Sequence, residues 1–526
     1  MSDSGPAGPS DGPDTSAASG AGARPRPPVR AIDPATSKRK TDGEAPLPAL
    51  YLSDRLLVRN GAGLTRDLSS IGDALAKLDL RYELTPRADG GPRELDSGSW
   101  GTSITLRSMT SPIDPVDAWT VLQQLRAADG PATDNLSLEH VLRPADGYWG
   151  GVGGYWGGVG GYWGGVGGYW GGVGGSALQE YSVPGRGGRM PVSLALPDPA
   201  LRAEVLDRNP VIVVPDTEIA KHPWFKDSAR VVRLRMKDGR LVPADSLGET
   251  AASSTLPTSE LPPGDPSAQA EPPGLLQGHA TFIAGLIRQG CPEATIVSIP
   301  VMGDDGIVDE GVMLDVLQAL LDRHVHGQEH GPVSDVVDVL SLSLGYYAED
   351  STYTSGPVAD MLDRFAESGV AVVAGVGNDG TSSPFVPAAL AAEPPKRILP
   401  RSNPPLASVG ACNPDGITVA LFSNNLAVVS AVRLGVSVVS TLPLTNGMGQ
   451  PSTKIAVDGT VRCTVDPDDY TGGFGVWSGT SFATPVFAAE LAVALIDQGD
   501  LTDVSPRAMR GRAIRALRAC IGRVSS

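Results

Sequence analysis

Cysteine is scarce in this sequence. Its four copies, Cys291, Cys412, Cys463 and Cys520, lie far apart and form no Cys-x-x-Cys pair. That excludes a cysteine metal cluster and thioredoxin-like redox chemistry, and leaves buried free thiols as the expectation. No apolar run approaches the roughly 20 residues that a membrane-spanning helix needs. The opening Met1-Ser-Asp-Ser-Gly-Pro6 has neither a basic head nor an apolar stretch, so no secretion signal is read there and a cytoplasmic location is expected. Cations are in deficit, with 42 Lys and Arg against 59 Asp and Glu, a net charge of −17. A chain this acidic repels phosphates and anionic lipid, so neither nucleic acid nor a membrane is an expected partner.

With 526 residues the chain is too long for one ordinary domain. Residues 1–45 are dominated by Pro, Gly, Ala, Ser and Asp. Such a segment cannot bury enough apolar surface to offset its ordering entropy, so a disordered tail is expected. Residues 46–145 carry two helical patterns, 64–80 and 115–127, among strand-like runs at 54–59, 103–107 and 138–142. This predicts a small α+β domain. At 146–176 the heptapeptide Gly-Tyr-Trp-Gly-Gly-Val-Gly recurs four times unchanged from Gly147 to Gly174. Its glycine content rules out a coiled coil and predicts a linker. Paired Tyr-Trp faces would also suit self-association. A connecting segment, 177–205, follows. From 206 to 526 short continuous apolar runs alternate with helical patterns, which predicts a parallel sheet covered on both faces. The stretch 240–275, dense in Pro, Ser and Thr, is expected to be a loop inserted into that pattern.

Histidine is rare enough to list: His140, His222, His279, His324, His326 and His330. His279 opens a helical pattern rich in small residues, Gly278-His279-Ala-Thr-Phe-Ile-Ala-Gly285. Ser481, in Gly479-Thr480-Ser481-Phe-Ala-Thr-Pro485, stands before a strongly apolar helix. A serine there suits a helix cap, and it also lies in the positive field of the helix N-terminus, which favours a developing alkoxide. Pro485 is expected near the first turn, where its missing N–H matters little. Asp216 ends the run Val211-Ile-Val-Val-Pro215, and Asn378 follows Val370-Ala-Val-Val-Ala374. Sites in open α/β sheets gather at such strand ends.

The blocks around Asp216, His279, Asn378 and Ser481, in that order, resemble those of the subtilisin-like serine peptidases. Supporting stretches are Ser341-Leu342-Ser343-Leu344-Gly345, Val409-Gly-Ala411 and Phe422-Ser-Asn424. The resemblance covers about 206–525. It implies a three-layer α/β catalytic domain with a parallel sheet, preceded here by the small α+β domain and the tail. It further implies a serine endopeptidase with Asp216, His279 and Ser481 as triad and Asn378 as oxyanion donor. Ser341, Leu342, Ser343, Leu344 and Gly345 would bind a polypeptide substrate as an added strand. Residues 46–145 match, in element order, the propeptide domains of that family, which implies a contact between 46–145 and the peptidase domain. Calcium is admitted by the family, but no ligand set stands out, so no metal ligand and no cofactor is assigned.

Two departures stand out. Glu218 occupies the place where the family has Gly, and Ala280 and Phe282 replace the second Gly and second His of the His block. A carboxylate at 218 is expected to raise the pKa of His279 and shift the activity profile to higher pH. The departures also admit a catalytically inactive member of the fold serving as a binding or scaffold module. Other chemistries fit less well. Gly375-Val-Gly377-Asn-Asp-Gly380 matches a dinucleotide fingerprint, but Pro384 and Pro387 prevent the helix it requires. An α/β-hydrolase elbow at Ser481 fails because no histidine follows His330. His324, His326 and His330 are expected to be solvated at a helix end rather than to bind metal.

Overall fold

The computed structural model describes residues 28–144 and 189–521, apart from 61–62, 94, 96–97, 111–114, 129–132, 195, 227–228, 248–275, 304–305, 392–405, 446–453 and 467–468. The Tyr-Trp repeat, residues 1–27 and most of the Pro-rich insertion therefore lie outside the described residues.

The first described unit is built from β1 (Val29–Ala31), β2 (Leu50–Arg59), α1 (Leu64–Ala76), β3 (Leu80–Leu84), β4 (Gly101–Ser108), α2 (Ala118–Ala127) and β5 (Leu136–Pro144). Alternation along β2 divides its side chains between two cores. Leu56 and Val58 pack with Leu68, Ile71 and Leu75 of α1 and Trp119 and Leu122 of α2. Leu57 faces the other way, into a core shared with the second unit. Each large apolar side chain buried this way contributes about 1.5–3 kcal/mol. The expected tail does not extend over 28–45. There β1 pairs with β2, and Asp33 accepts from Thr36 Oγ1 and the Ala35 N–H. Ile32, buried in the core of this unit, supplies apolar surface that the compositional average of 1–45 conceals.

The second unit comprises β6 (Met190–Pro191), β7 (Val211–Asp216), β8 (Val231–Lys237), β9 (Arg240–Pro243), α3 (His279–Gly290), β10 (Thr295–Pro300), β11 (Val308–Asp309), α4 (Glu310–His330), β12 (Val339–Leu342) and β13 (Leu344–Tyr347). It continues with α5 (Pro357–Ser368), β14 (Ala371–Gly375), β15 (Phe385–Val386), β16 (Ala407–Cys412), β17 (Ala431–Leu434), β18 (Val438–Thr441), β19 (Lys454–Val457), β20 (Thr460–Cys463), β21 (Phe474–Trp477), α6 (Thr480–Asp497) and α7 (Pro506–Ile521).

Its main sheet runs β17-β16-β14-β12-β7-β10-β8-β9. All neighbours are parallel except β8 and β9. The unbroken apolar strands have their explanation here. Ile212 and Val214 of β7 point to the layer of α3, α6 and α7, whereas Val211 and Val213 point to that of α4 and α5. With helices on both faces, neither side of a strand can be polar. Helix α6 is long and apolar enough to cross a membrane by length and composition, but here it is a core helix, largely buried.

Two local expectations are corrected. Arg240–Pro243 is not loop; it folds back on β8 as an antiparallel hairpin across Asp238 and Gly239, both at positive φ. His324 is not solvated. It is buried on α4, where its Nδ1 accepts from the Val337 N–H at 2.9 Å, and burial pushes its pKa down to about 4. Among the cysteines, Cys291, Cys412 and Cys520 are buried free thiols, but Cys463 is exposed.

A second sheet joins the two units, in the order β15-β13-β5-β2-β4-β3, with β1 on β2 and β11 on β5. Cations of the first unit meet carboxylates of the second across this junction. Arg93 makes two bonds to Asp315, at 2.6 and 2.7 Å, and Arg55, Arg126 and Arg143 reach Asp309, Asp350 and Asp379.

Candidate active site

Asp216 is the last residue of β7, at the carboxyl edge of the main sheet. Its Oδ1 accepts from the Thr217 N–H at 2.7 Å and from His279 Nδ1 at 2.7 Å. Both side chains are fully buried. Facing a carboxylate, Nδ1 carries the ring hydrogen, so Nε2 is the nitrogen with the lone pair. His279 is the first residue of α3, capped by Gly278 at φ 85°. A Cβ on Gly278 would lie 2.5 Å from Pro443 Cδ, so only glycine fits. Thr217 fixes the register between strand and helix, because its Oγ1 accepts from the Ala280 N–H at 3.0 Å. Behind the imidazole stand Trp477 and Phe482, with ring centroids 5.7 and 5.4 Å away. Phe282 joins that cluster, 4.6 Å from Phe482, and serves as packing.

Ser481 lies in the first turn of α6. Its Oγ donates to the Ser343 carbonyl at 3.2 Å, and Ser343 Oγ donates to the Ser481 carbonyl at 2.9 Å. The second bond explains Pro485, which falls inside the helix rather than in its first turn. In a regular helix the N–H of residue 485 would bond the carbonyl of residue 481. Proline cannot, and Ser343 supplies the missing donor.

Asn378 follows β14. Its Oδ1 accepts from the Thr480 N–H at 2.9 Å, and the Gly377 N–H donates to Thr480 Oγ1 at 3.2 Å. These two bonds dock the asparagine loop onto the start of α6. The Asn378 Nδ2 is buried without an acceptor among the described residues. Asn424 braces the loop from behind. Its Oδ1 accepts from the Asp379 and Thr381 N–H groups, each at 3.0 Å, and its Nδ2 donates to the Val376 carbonyl at 2.8 Å. Only the local resemblance of Phe422-Ser-Asn424 pointed to this residue in the sequence.

The stretch expected to bind substrate divides. Ser341 and Leu342 lie in β12, inside the main sheet, paired with Val373 and Ala374. Leu344 and Gly345 begin β13 at the cleft edge, with Ser343 between the two strands. That edge is occupied: β5 of the first unit pairs with it antiparallel, Leu344 facing Pro144 and Gly345 facing Arg143. On its other side β5 pairs with β11, Val308 facing Leu142. Glycine is required at 345, because a Cβ there would lie 2.2 Å from the Val386 carbonyl oxygen.

Glu218 is paired in the fold. It accepts from Arg235 at 2.7 Å, so its charge is matched by a neighbouring guanidinium. A further cluster leaves no mark in the sequence. His140, in the strand β5, sits between Glu310 and Glu349 of the second unit, each at 2.7 Å, and stacks on Tyr346 with centroids 4.1 Å apart. Burial lowers its basicity, but the two carboxylates outweigh this and raise the pKa to about 10.

Comparison with known proteins gives one family match and several distant structural likenesses. The model described as the subtilase family matches residues 207–519. A cold adapted subtilisin-like serine proteinase is 20% identical, at TM-score 0.34, covering 59% of this chain and 86% of its own. The protease domain of PatA is 18% identical at TM-score 0.34, covering 59% and 93%. Fervidolysin from Fervidobacterium pennivorans, a keratinolytic enzyme related to subtilisin, is 17% identical at TM-score 0.44, covering 86% of this chain and 56% of its own.

Proposed function

This chain belongs to the subtilase family of serine peptidases, and from that premise we propose that it is an endopeptidase using Asp216, His279 and Ser481 as its triad. The observation that carries the reading is the buried 2.7 Å bond from His279 Nδ1 to Asp216. It fixes the tautomer in which Nε2 is the base. Attack requires the Ser481 hydroxyl to leave the Ser343 carbonyl and donate to Nε2. The oxygen then adds to the peptide carbonyl as the proton passes to His279. Asn378 Nδ2 stabilises the oxyanion, and Asp216 stabilises the imidazolium. Collapse expels the amine, which takes the proton from His279 and leaves an acyl group on Ser481. Water, deprotonated by His279, releases the acid.

Polypeptide substrate would add to the edge at Leu344 and Gly345, where β5 now lies. Residues 46–145 thus serve as an internal occupant of the cleft, and external substrate competes with β5. The test is fluorophosphonate labelling together with hydrolysis of an unstructured polypeptide by the full chain and by its Ser481→Ala variant. Serine-dependent labelling with turnover supports the reading. A chain that neither labels nor cuts, even after the first unit is displaced by mild denaturant, would be the inactive scaffold instead.

A further inference from the structure

We propose that Asp379 and Tyr347 form a subsite selecting a basic side chain, arginine above all, at the third residue before the bond to be cut; this rests on the peptidase reading above. The site already holds such a side chain. Arg143 donates to Asp379 Oδ2 at 2.9 Å, and its guanidinium lies 5.4 Å from the centroid of the Tyr347 ring. The arginine comes from the strand that occupies the substrate edge, in register with Gly345.

The receiving groups are fixed in place. Tyr347 Oη donates to the same Asp379 oxygen at 2.6 Å, and Asn424 Nδ2 donates to Tyr347 Oη at 2.8 Å. The Asp379 N–H in turn donates to Asn424 Oδ1. Burial holds the Tyr347 hydroxyl well above the usual tyrosine range, so it stays a donor. Asp379 is therefore an acceptor aimed at the strand, with an aromatic face alongside. Arginine satisfies both at once through a planar, always charged fork. Lysine offers a point charge, and an acidic side chain would face a like charge.

The position follows from the ladder. Arg143 faces Gly345 and Pro144 faces Leu344. A substrate in that register puts its next residue opposite Ser343, whose carbonyl accepts from the Ser481 hydroxyl. That residue carries the carbonyl to be attacked, so the arginine site is third counting back from the cut.

The test uses the full-length chain with Ser481→Ala to stop turnover and Arg143→Ala to empty the subsite. Fluorescent peptides differing only in Arg, Ala or Glu at the third position are titrated by anisotropy. The arginine peptide should bind about tenfold more tightly than its alanine twin, and the glutamate peptide more weakly than either. Asp379→Asn, which keeps the side-chain shape, should bring arginine to the alanine value. Equal affinities, or binding of neither peptide, would overturn the proposal. Hydrolysis of the same peptides by the chain with Arg143→Ala and an intact Ser481 separates the two claims. Peptides bound with the arginine preference yet never cut count against the peptidase reading alone. Peptides cut at equal rates count against the subsite alone.

Discussion

Ser343 and Ser481 exchange hydrogen bonds: each hydroxyl donates to the other's carbonyl, at 2.9 Å from Ser343 and 3.2 Å from Ser481. The first bond takes the place of the one Pro485 cannot make. Ser343→Ala should therefore leave a buried carbonyl unsatisfied and cost about 1 kcal/mol. In a Pro485→Ala background the restored N–H can reach that carbonyl, so the same substitution should cost less. A denaturant double-mutant cycle reads the coupling directly. Additive losses would mean that the two residues do not share this carbonyl.

Asn378→Ala removes the Nδ2 donor and the Oδ1 acceptor of the Thr480 N–H together. Under the proposed mechanism the first loss bears on the transition state, and losing one such donor costs about 10²–10³ in rate. The fall should appear in kcat with KM little changed. A substitution that raised KM and spared kcat would place Asn378 in binding instead.

The four blocks proposed to carry the chemistry stand out in the sequence because each is local. A strand end, a helix start and a loop glycine leave their marks within a few residues, as with Gly278 before His279. The parallel sheet was legible for the same reason, in runs such as Val211-Ile-Val-Val. Pairings between distant segments were not. Nothing in Leu138-Glu-His-Val-Leu142 signals that His140 will lie between Glu310 and Glu349, because the contact exists only once two domains dock. The division of 341–345 was hidden too, since Ser341 and Leu344 share one apolar pattern but lie in different sheets. Composition misled at 28–45, where averaging over a Pro- and Gly-rich tail masked one short strand.

Glu218 illustrates what an isolated residue leaves out. Beside Asp216 in sequence, it suggested a carboxylate acting on the imidazole, but its partner is Arg235 at 2.7 Å. Glu218→Gly should move the acidic limb of the activity profile by less than about half a pH unit. A larger downward shift would restore the expectation that Glu218 raises the His279 pKa.

His140 should make the docking of the first unit depend on pH. Burial works against its charge, but Glu349 and Glu310 raise the folded pKa to about 10, from an ordinary value of 6.5. A raised pKa means that the folded state holds the proton more tightly than the unfolded state does. The stabilisation is thus complete below about pH 6.5 and is lost as the pH climbs through 10. On the acid side the sign reverses for Glu349. Burial raises its pKa, but the His140 charge prevails and holds it below 4.5, so its contribution is present above that value and lost as the pH falls further. Hydrogen exchange of the β5 amides, followed from pH 6 to 10 and corrected for intrinsic rates, should show protection falling towards the alkaline end. His140→Gln lacks the charge at every pH, so its protection should be lower and its profile flatter across the same window. A variant profile parallel to that of the parent would show that the two carboxylates do not hold the strand through this imidazole.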